Sequence, residues 1–311
     1  MPDALTIETA DHVMRHWTAP EPGPIRIGSP EHLRLFGRML LETHNPYKPA
    51  VMVWPELDAA ALARITSLPI WDIAVQTEGR ASIRVKTFAA QATDPLLREA
   101  LEMNGGEEAR HKVVLSHLVA FYGIKLAPEP DYPPPKNSEW AWLVTGYSEC
   151  IDSFFAFGLF ALAKQSGFFP AELVETFEPV IQEEARHILF FANWVAWHRR
   201  NLSWWRRIAF EARVLGVWAF LIWERIGIAR GIDADGEVQD ANFAMTGGSA
   251  VTGDDLSPRL LIELCLGENE RRMAGYDRRL LRPTTVPFLA RIARRLLGRP
   301  KAPTTGTGEM R

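Results

Sequence analysis

The chain has 311 residues, 47% hydrophobic and 23% charged, which is enough apolar material for a full core and excludes a fibrous or disordered protein. Its formal net charge of −3 excludes nucleic acid as the main partner, because phosphate binding needs Lys and Arg in excess on one face. Its two cysteines, Cys150 and Cys265, form no CxxC pair, so neither a disulfide framework nor a cysteine-bound iron centre is available and a reducing, cytoplasmic setting is expected.

The N-terminus lacks the basic start and apolar run of a signal peptide, and no apolar run reaches the roughly 20 residues of a spanning helix. Residues 1–67 mix short helical patterns with Pro-rich connections such as Ala19-Pro20-Glu21-Pro22-Gly23-Pro24. They are expected to wrap the outside of a core and to carry no chemistry of their own. His12 and His16 share a helix face, but without a third ligand nearby they read as an exposed pair.

Residues 68–200 have long apolar-periodic stretches, and four helices are predicted there. The first covers about 69–92. The second opens at Asp94-Pro95, an N-cap followed by proline at the first helical position, and ends near Tyr122-Gly123. After a Pro-rich crossover at 127–136, the third starts at Asn137 or Ser138 and stops before Gly167. The fourth runs from Phe169-Pro170 to about Arg200. Two helices, one long connection and two more helices describe an all-α bundle with a single long crossover.

Residues 201–298 are expected to add helices packed on that bundle. Trp204 to Arg230 is rich in Trp and Phe and uncharged from Val214 to Trp223, too short to cross a bilayer. A turn-rich loop through Gly247-Gly248 and Gly253 leads to a helix from about Ser257 to Arg282, then a short one from Val286 to Leu297. Residues 299–311 read as a disordered tail. In the last helix Leu289, Ile292, Ala293 and Leu296 form an apolar stripe opposite Arg291, Arg294, Arg295 and Arg299. The bundle or a homodimer mate is its expected cover, and peripheral contact with an anionic membrane is the competing reading.

The strongest signal is a repeat: Glu107-Glu108-Ala109-Arg110-His111 recurs letter for letter as Glu183-Glu184-Ala185-Arg186-His187. Glu and His three apart lie on one helix face and can grip one metal together. Each copy follows a lone glutamate on the preceding helix, Glu78 or Glu149, at a distance that an antiparallel out-and-back path brings to the same level. The metal ligands are therefore predicted as Glu78, Glu108, His111, Glu149, Glu184 and His187. Four carboxylates and two neutral imidazoles around two divalent cations sum to zero formal charge, which makes burial tolerable. Oxygen and nitrogen donors without thiolate favour two iron ions, with manganese or a mixed Mn/Fe pair next. Gly105-Gly106 and Pro179 precede the two motifs and mark either a bend that aims the ligands or a helix restart.

On these residues the chain resembles the ferritin-like di-iron carboxylate superfamily, and within it the oxygen-activating branch that includes multicomponent hydroxylases, acyl-carrier-protein desaturases and arylamine N-oxygenases. The resemblance covers about residues 70–195. It implies a non-haem di-iron oxygenase or oxidase that uses dioxygen to hydroxylate, N-oxygenate or desaturate a small, fairly apolar substrate. It also suggests that Glu107, Arg110, Glu183 and Arg186 orient the ligand histidines from the facing helix. Ser153, one turn after Glu149, sits where related hydroxylases often carry a proton-managing Thr. Small neighbours of the lone glutamates (Ala74, Ala81, Ser82, Thr145, Gly146) are read as a substrate cavity bounded by Trp142, Phe154 and Phe157, or as close helix packing. The chain has no dinucleotide fingerprint, so a separate electron donor is expected. The alternatives are a ferritin- or rubrerythrin-like iron or peroxide handler, which the extra C-terminal helices and missing cysteines disfavour, and a membrane-associated protein with a structural metal.

Overall fold

The computed structural model describes residues 4–47, 53–68, 70–229 (226–229 as backbone only) and 257–297. These form ten helices: α1 (Ala4–Arg15), α2 (Pro30–Glu42), α3 (Ala59–Thr66), α4 (Trp71–Ala89), α5 (Pro95–Phe121), α6 (Ser138–Ser166), α7 (Ala171–Asn201), α8 (Trp204–Ala229), α9 (Pro258–Met273) and α10 (Thr285–Leu296). The fold is all-α among the described residues, and its one bridge pairs Trp17 with Tyr276.

Local chemistry sets the boundaries. Asp94 accepts from the Leu97 amide with Pro95 in the first turn, and Asn137 accepts from the Trp140 amide, so each side chain satisfies a helix-start N–H that has no intrahelical acceptor. Gly123 and Gly167 end α5 and α6 at φ of 67° and 65°, where an L side chain would be strained.

Four helices make the central bundle, and their pairings give its sense. Ser82 Oγ donates to the Gly105 carbonyl while Glu78 lies by His111, so α4 and α5 are antiparallel. Trp142 meets Trp194 while Ser153 meets Glu184, so α6 and α7 are antiparallel as well. The 122–137 connection runs along α4: the Ala127 amide donates to Asp72, Glu129 and Tyr132 sit over Gly79, and Ser138 Oγ reaches Gln91. Gly79, next to Glu78, has no Cβ and so leaves room for that crossover.

The other helices cover this bundle. α2 packs on α5 and α7, α1 on α7, α8 and α9 on α6, and α10 on α9. Phe210, Val214, Val217 and Leu221 bury one face of α8 in the main core, while Leu215 on the opposite face is 70% exposed. The α10 stripe is not covered by the bundle, since Leu289 and Leu296 are exposed and Pro287 is its one buried side chain. No described helix is long and apolar enough to cross a membrane.

Three expectations change. The helix predicted to reach Arg282 stops at Met273, because the chain turns to meet the N-terminal segment: the Gly275 carbonyl accepts from the Trp17 amide and Tyr276 Oη donates to the Met14 carbonyl. A side chain on Gly275 would collide with the Arg15 carbonyl. Second, α5 and α7 run unbroken through Gly105-Gly106 and Pro179, so neither helix restarts. Third, of the two readings of the small residues, close packing holds at Gly146, where the Phe191 ring fills the space; Trp142 lies in the core and Phe154 faces Leu261 and Cys265. The predicted tail at 299–311 and the glycine-rich loop around 247–253 lie outside the described residues.

The two kinds of glycine separate by mutation. Gly146→Ala drives a methyl into Phe191 and is expected to cost about 1–3 kcal/mol. Gly106→Ala meets nothing within 4 Å and is expected to stabilise α5 by about 0.5–1 kcal/mol. Urea denaturation of both variants checks the contrast; equal effects would contradict it.

Candidate metal centre

Each helix of the bundle contributes to one cluster. Donor atoms of Glu78, Glu108, His111 and Glu184 lie within 4.8 Å of one another, as do those of Glu108, Glu149 and His187. Glu108 belongs to both groups and joins them. His111 Nδ1 stands 3.1 Å from Glu184 and 3.6 Å from Glu78, and His187 Nδ1 stands 2.8 Å from Glu108. Glu108 and both histidines are buried, whereas the Glu78 and Glu184 side chains keep 20% and 14% exposure. The cluster thus has a closed side and a more open one. Ser153 Oγ donates weakly to Glu184 at 3.4 Å, on α6 one turn beyond Glu149.

The residues preceding the ligands reach across to the opposite helix. Glu183 on α7 takes a hydrogen bond from His111 Nε2 at 2.8 Å, and Glu107 on α5 takes one from His187 Nε2 at 2.7 Å. A carboxylate can only accept, so in both rings the proton sits on Nε2. A neutral imidazole protonated there presents a lone pair at Nδ1, and both Nδ1 atoms point at carboxylate oxygens of the cluster. Two lone pairs facing each other at about 3 Å repel unless a proton or a metal ion lies between them.

Arginines hold these two acids. Arg186 donates to both oxygens of Glu107 at 2.8 and 3.0 Å, and Arg110 donates to Glu183 at 2.5 Å. Burial works to raise the Glu107 carboxyl, but the Arg186 charge and the bonds from His187 and His44 outweigh it and hold it well below the ordinary range. Both arginines also grip the end of α2: Arg186 reaches Thr43 Oγ1 and the Leu40 carbonyl, and Arg110 the Asn45 carbonyl. His44 Nδ1 lies 2.6 Å from Glu107. The expectation that residues 1–67 carry no chemistry is corrected here, since their contact with the centre is tertiary and no sequence motif marks His44. His12 and His16 stack on each other at the surface, as an exposed pair.

Several polar atoms of the cluster have no partner in the protein. Buried Glu108 Oε1, both Glu149 oxygens, His111 Nδ1 and His187 Nδ1 have no hydrogen-bond partner, while the nitrogens on the far side of both rings do. Burial first, then the charges of Glu108 and Glu184, push Glu149 well above the carboxylate range. Burial also dominates at Glu78, pushed up to about 8 against the opposing influence of His111 3.6 Å away. A buried set of oxygen and neutral nitrogen donors with no protein partners is what a metal ion needs, and this cluster could hold one.

Comparison with family models, with curated proteins and with solved structures gave no match. The repeated motif and the geometry above therefore carry the functional argument.

The metal-free protein should lose stability as pH rises. Although burial opposes charging of His111 and His187, their carboxylate partners raise both well above the imidazole range, and Glu78 and Glu149 are raised as well. All four groups bind protons more tightly folded than unfolded, so their contribution is complete at low pH and fades as pH climbs through the raised values. For Glu78 that window runs from 4.5 to about 8. The melting temperature without metal is expected to fall across it. The increase on adding divalent metal is expected to grow across the same window, because metal replaces the protons. Calorimetric scans with and without metal at several pH values check this, and an increment that shrinks towards alkaline pH would contradict it.

Proposed function

We propose that this chain is a non-haem di-iron oxygenase or oxidase of the ferritin-like carboxylate superfamily, using dioxygen to oxidise a small, fairly apolar organic substrate. One observation carries the reading: the two histidines are locked by facing glutamates so that both Nδ1 atoms aim into a cluster of four carboxylates in which Glu108 Oε1 and both Glu149 oxygens have no partner in the protein. The repeat of Glu-Glu-x-Arg-His, each copy preceded by a helix with one glutamate, supports the same reading. So does the packing of four antiparallel helices with one long crossover.

Glu78, Glu108, His111 and Glu184 would hold one ion and Glu108, Glu149 and His187 the other, with Glu108 shared. Bound there, two iron ions would supply redox chemistry and open coordination positions for dioxygen. The absence of thiolate favours iron, with manganese or a mixed pair as the next choice. The protein's own contribution is orientation and exclusion. Glu107 and Glu183 keep the two rings in one tautomer, and Arg186 and Arg110 offset the charge of those acids. Aromatic packing by Trp142, Phe190, Phe191 and Trp194 seals one end of the bundle against water. Ser153 Oγ holds a proton against Glu184 on the side where Glu78 and Glu184 are more exposed. Hydroxylation, N-oxygenation and desaturation are all open to such a site, with electrons from a separate donor.

Metal analysis followed by rapid mixing of the reduced protein with oxygen tests the proposal. The expected result is two ions per chain and an oxygen-dependent optical transient. Glu108→Ala and Glu184→Ala should lose most bound metal, whereas Glu107→Gln should keep it with altered reactivity, because it contacts a ligand rather than the ion. Full occupancy in Glu184→Ala would contradict the ligand set, and two ions with no transient would contradict the oxygen chemistry.

A further inference from the structure

α8 is apolar on two opposite sides, and the core explains one of them. Phe210, Val214, Val217 and Leu221 face the bundle. On the other side Trp205, Ile208, Ala212, Leu215, Ala219 and Ile222 are all exposed, the four large residues by between 54% and 70%. The steps between successive members are three, four, three, four and three residues, the spacing that keeps one stripe facing a second helix along its whole length. No member is charged. With the flanking Trp204 and Trp223, the large residues present roughly 800 Å² of apolar surface, about what each partner supplies to a stable interface.

The stripe has the same spacing read in either direction. A second copy of the helix laid antiparallel sets Trp205 against Ile222, Ile208 against Ala219 and Ala212 against Leu215. The four inner layers of such a pair each join an alanine to a leucine or isoleucine, and Trp205 with Ile222 closes both ends. Small against large at every inner layer lets two helix axes approach to the roughly 8–10 Å of ordinary helix packing. Parallel pairing would set Ala212 on Ala212 and Leu215 on Leu215, alternately empty and crowded. A helix lying on a membrane surface gains nothing from alanine at alternate positions of its apolar side.

We propose that α8 is the contact through which two copies of this chain pair, antiparallel about a two-fold axis at the level of Arg213 and Val214. The same stripe serves both copies, each covering the other, so the association closes at two. Nothing in it depends on the metal centre.

Sedimentation of the full-length protein at micromolar concentration tests the pairing, with twice the chain mass expected. Leu215→Arg, next to the axis, is expected to weaken the dimer at least about a hundredfold, because each dimer carries the change twice, with the helical circular dichroism unchanged. Leu215→Ala is expected to weaken it too, and adding Ala212→Leu to restore it, since the large and small members of one layer are then exchanged; a folding defect would not be repaired this way. Disulfide formation reads the direction, because Cys150 and Cys265 are buried and do not compete. A mixture of Trp205→Cys and Ile222→Cys chains is expected to cross-link, whereas Trp205→Cys alone is not, its two copies lying about 25 Å apart along the pair. A monomer would overturn the proposal, and one that sediments with anionic vesicles would assign the stripe to lipid. A dimer indifferent to Leu215→Arg but broken by Leu289→Arg would overturn it by placing the contact on α10. Cross-linking of Trp205→Cys to itself would overturn the antiparallel arrangement.

Discussion

The crossed carboxylate–imidazole bonds, Glu183 to His111 and Glu107 to His187, are the constraint on which the centre depends. Each fixes a tautomer, and the tautomer decides which nitrogen faces the cluster. The bonds form only if α5 and α7 run antiparallel with their two pentapeptides at one level. The repeat is therefore a statement about helix register as much as about ligands. In each copy the residue before the ligand glutamate points to the neighbouring helix while the ligand points to the bundle axis, as a 100° step between successive helical residues requires.

Charge organises the next layer. Glu107 with Arg186 and Glu183 with Arg110 are internally compensated pairs, and burying them is tolerable because every charge has a close partner and further hydrogen bonds. The ligand carboxylates have no such compensation from the protein: Glu149 lacks any hydrogen-bond partner, and burial raises both it and Glu78. A cluster of this kind could hold a metal ion, and binding one would relieve the cost of burying these carboxylates. α2 belongs to this economy too. The Leu40 carbonyl and Thr43 Oγ1 accept from Arg186, and the Asn45 carbonyl accepts from Arg110, so the N-terminal segment closes the back of the centre.

Much of this was legible in the sequence because the signals are local. Asp94-Pro95, Asn137 and Gly167 announce helix ends by chemistry that needs no tertiary information, and the observed helices begin and stop within a few residues of them. Glu and His three apart, twice, each copy preceded by a helix with one glutamate, put six candidate donors on four helices, and the structure brings those six together. What escaped is tertiary. Gly146 leaves a cavity and close packing equally open in the sequence, and it is a contact point for the Phe191 ring arriving from α7. The end of α9 at Met273 is set by the N-terminal segment more than 250 residues away in sequence. His44 carries no spacing relation to either pentapeptide, and only the docking of α2 on α5 and α7 brings it to Glu107.

The central claim is that His111 and His187 face the cluster through Nδ1, with the ions lying between the four glutamates. Diffraction from the iron-loaded protein, with anomalous data at the iron edge, tests this most directly. The account predicts two iron peaks roughly 3–4 Å apart, each bonded to one histidine Nδ1, with Glu108 touching both and the Glu107 and Glu183 bonds intact. Peaks bonded to Nε2, iron bound away from the four helices, or a centre in which Glu107 or Glu183 has turned away from its histidine would contradict it.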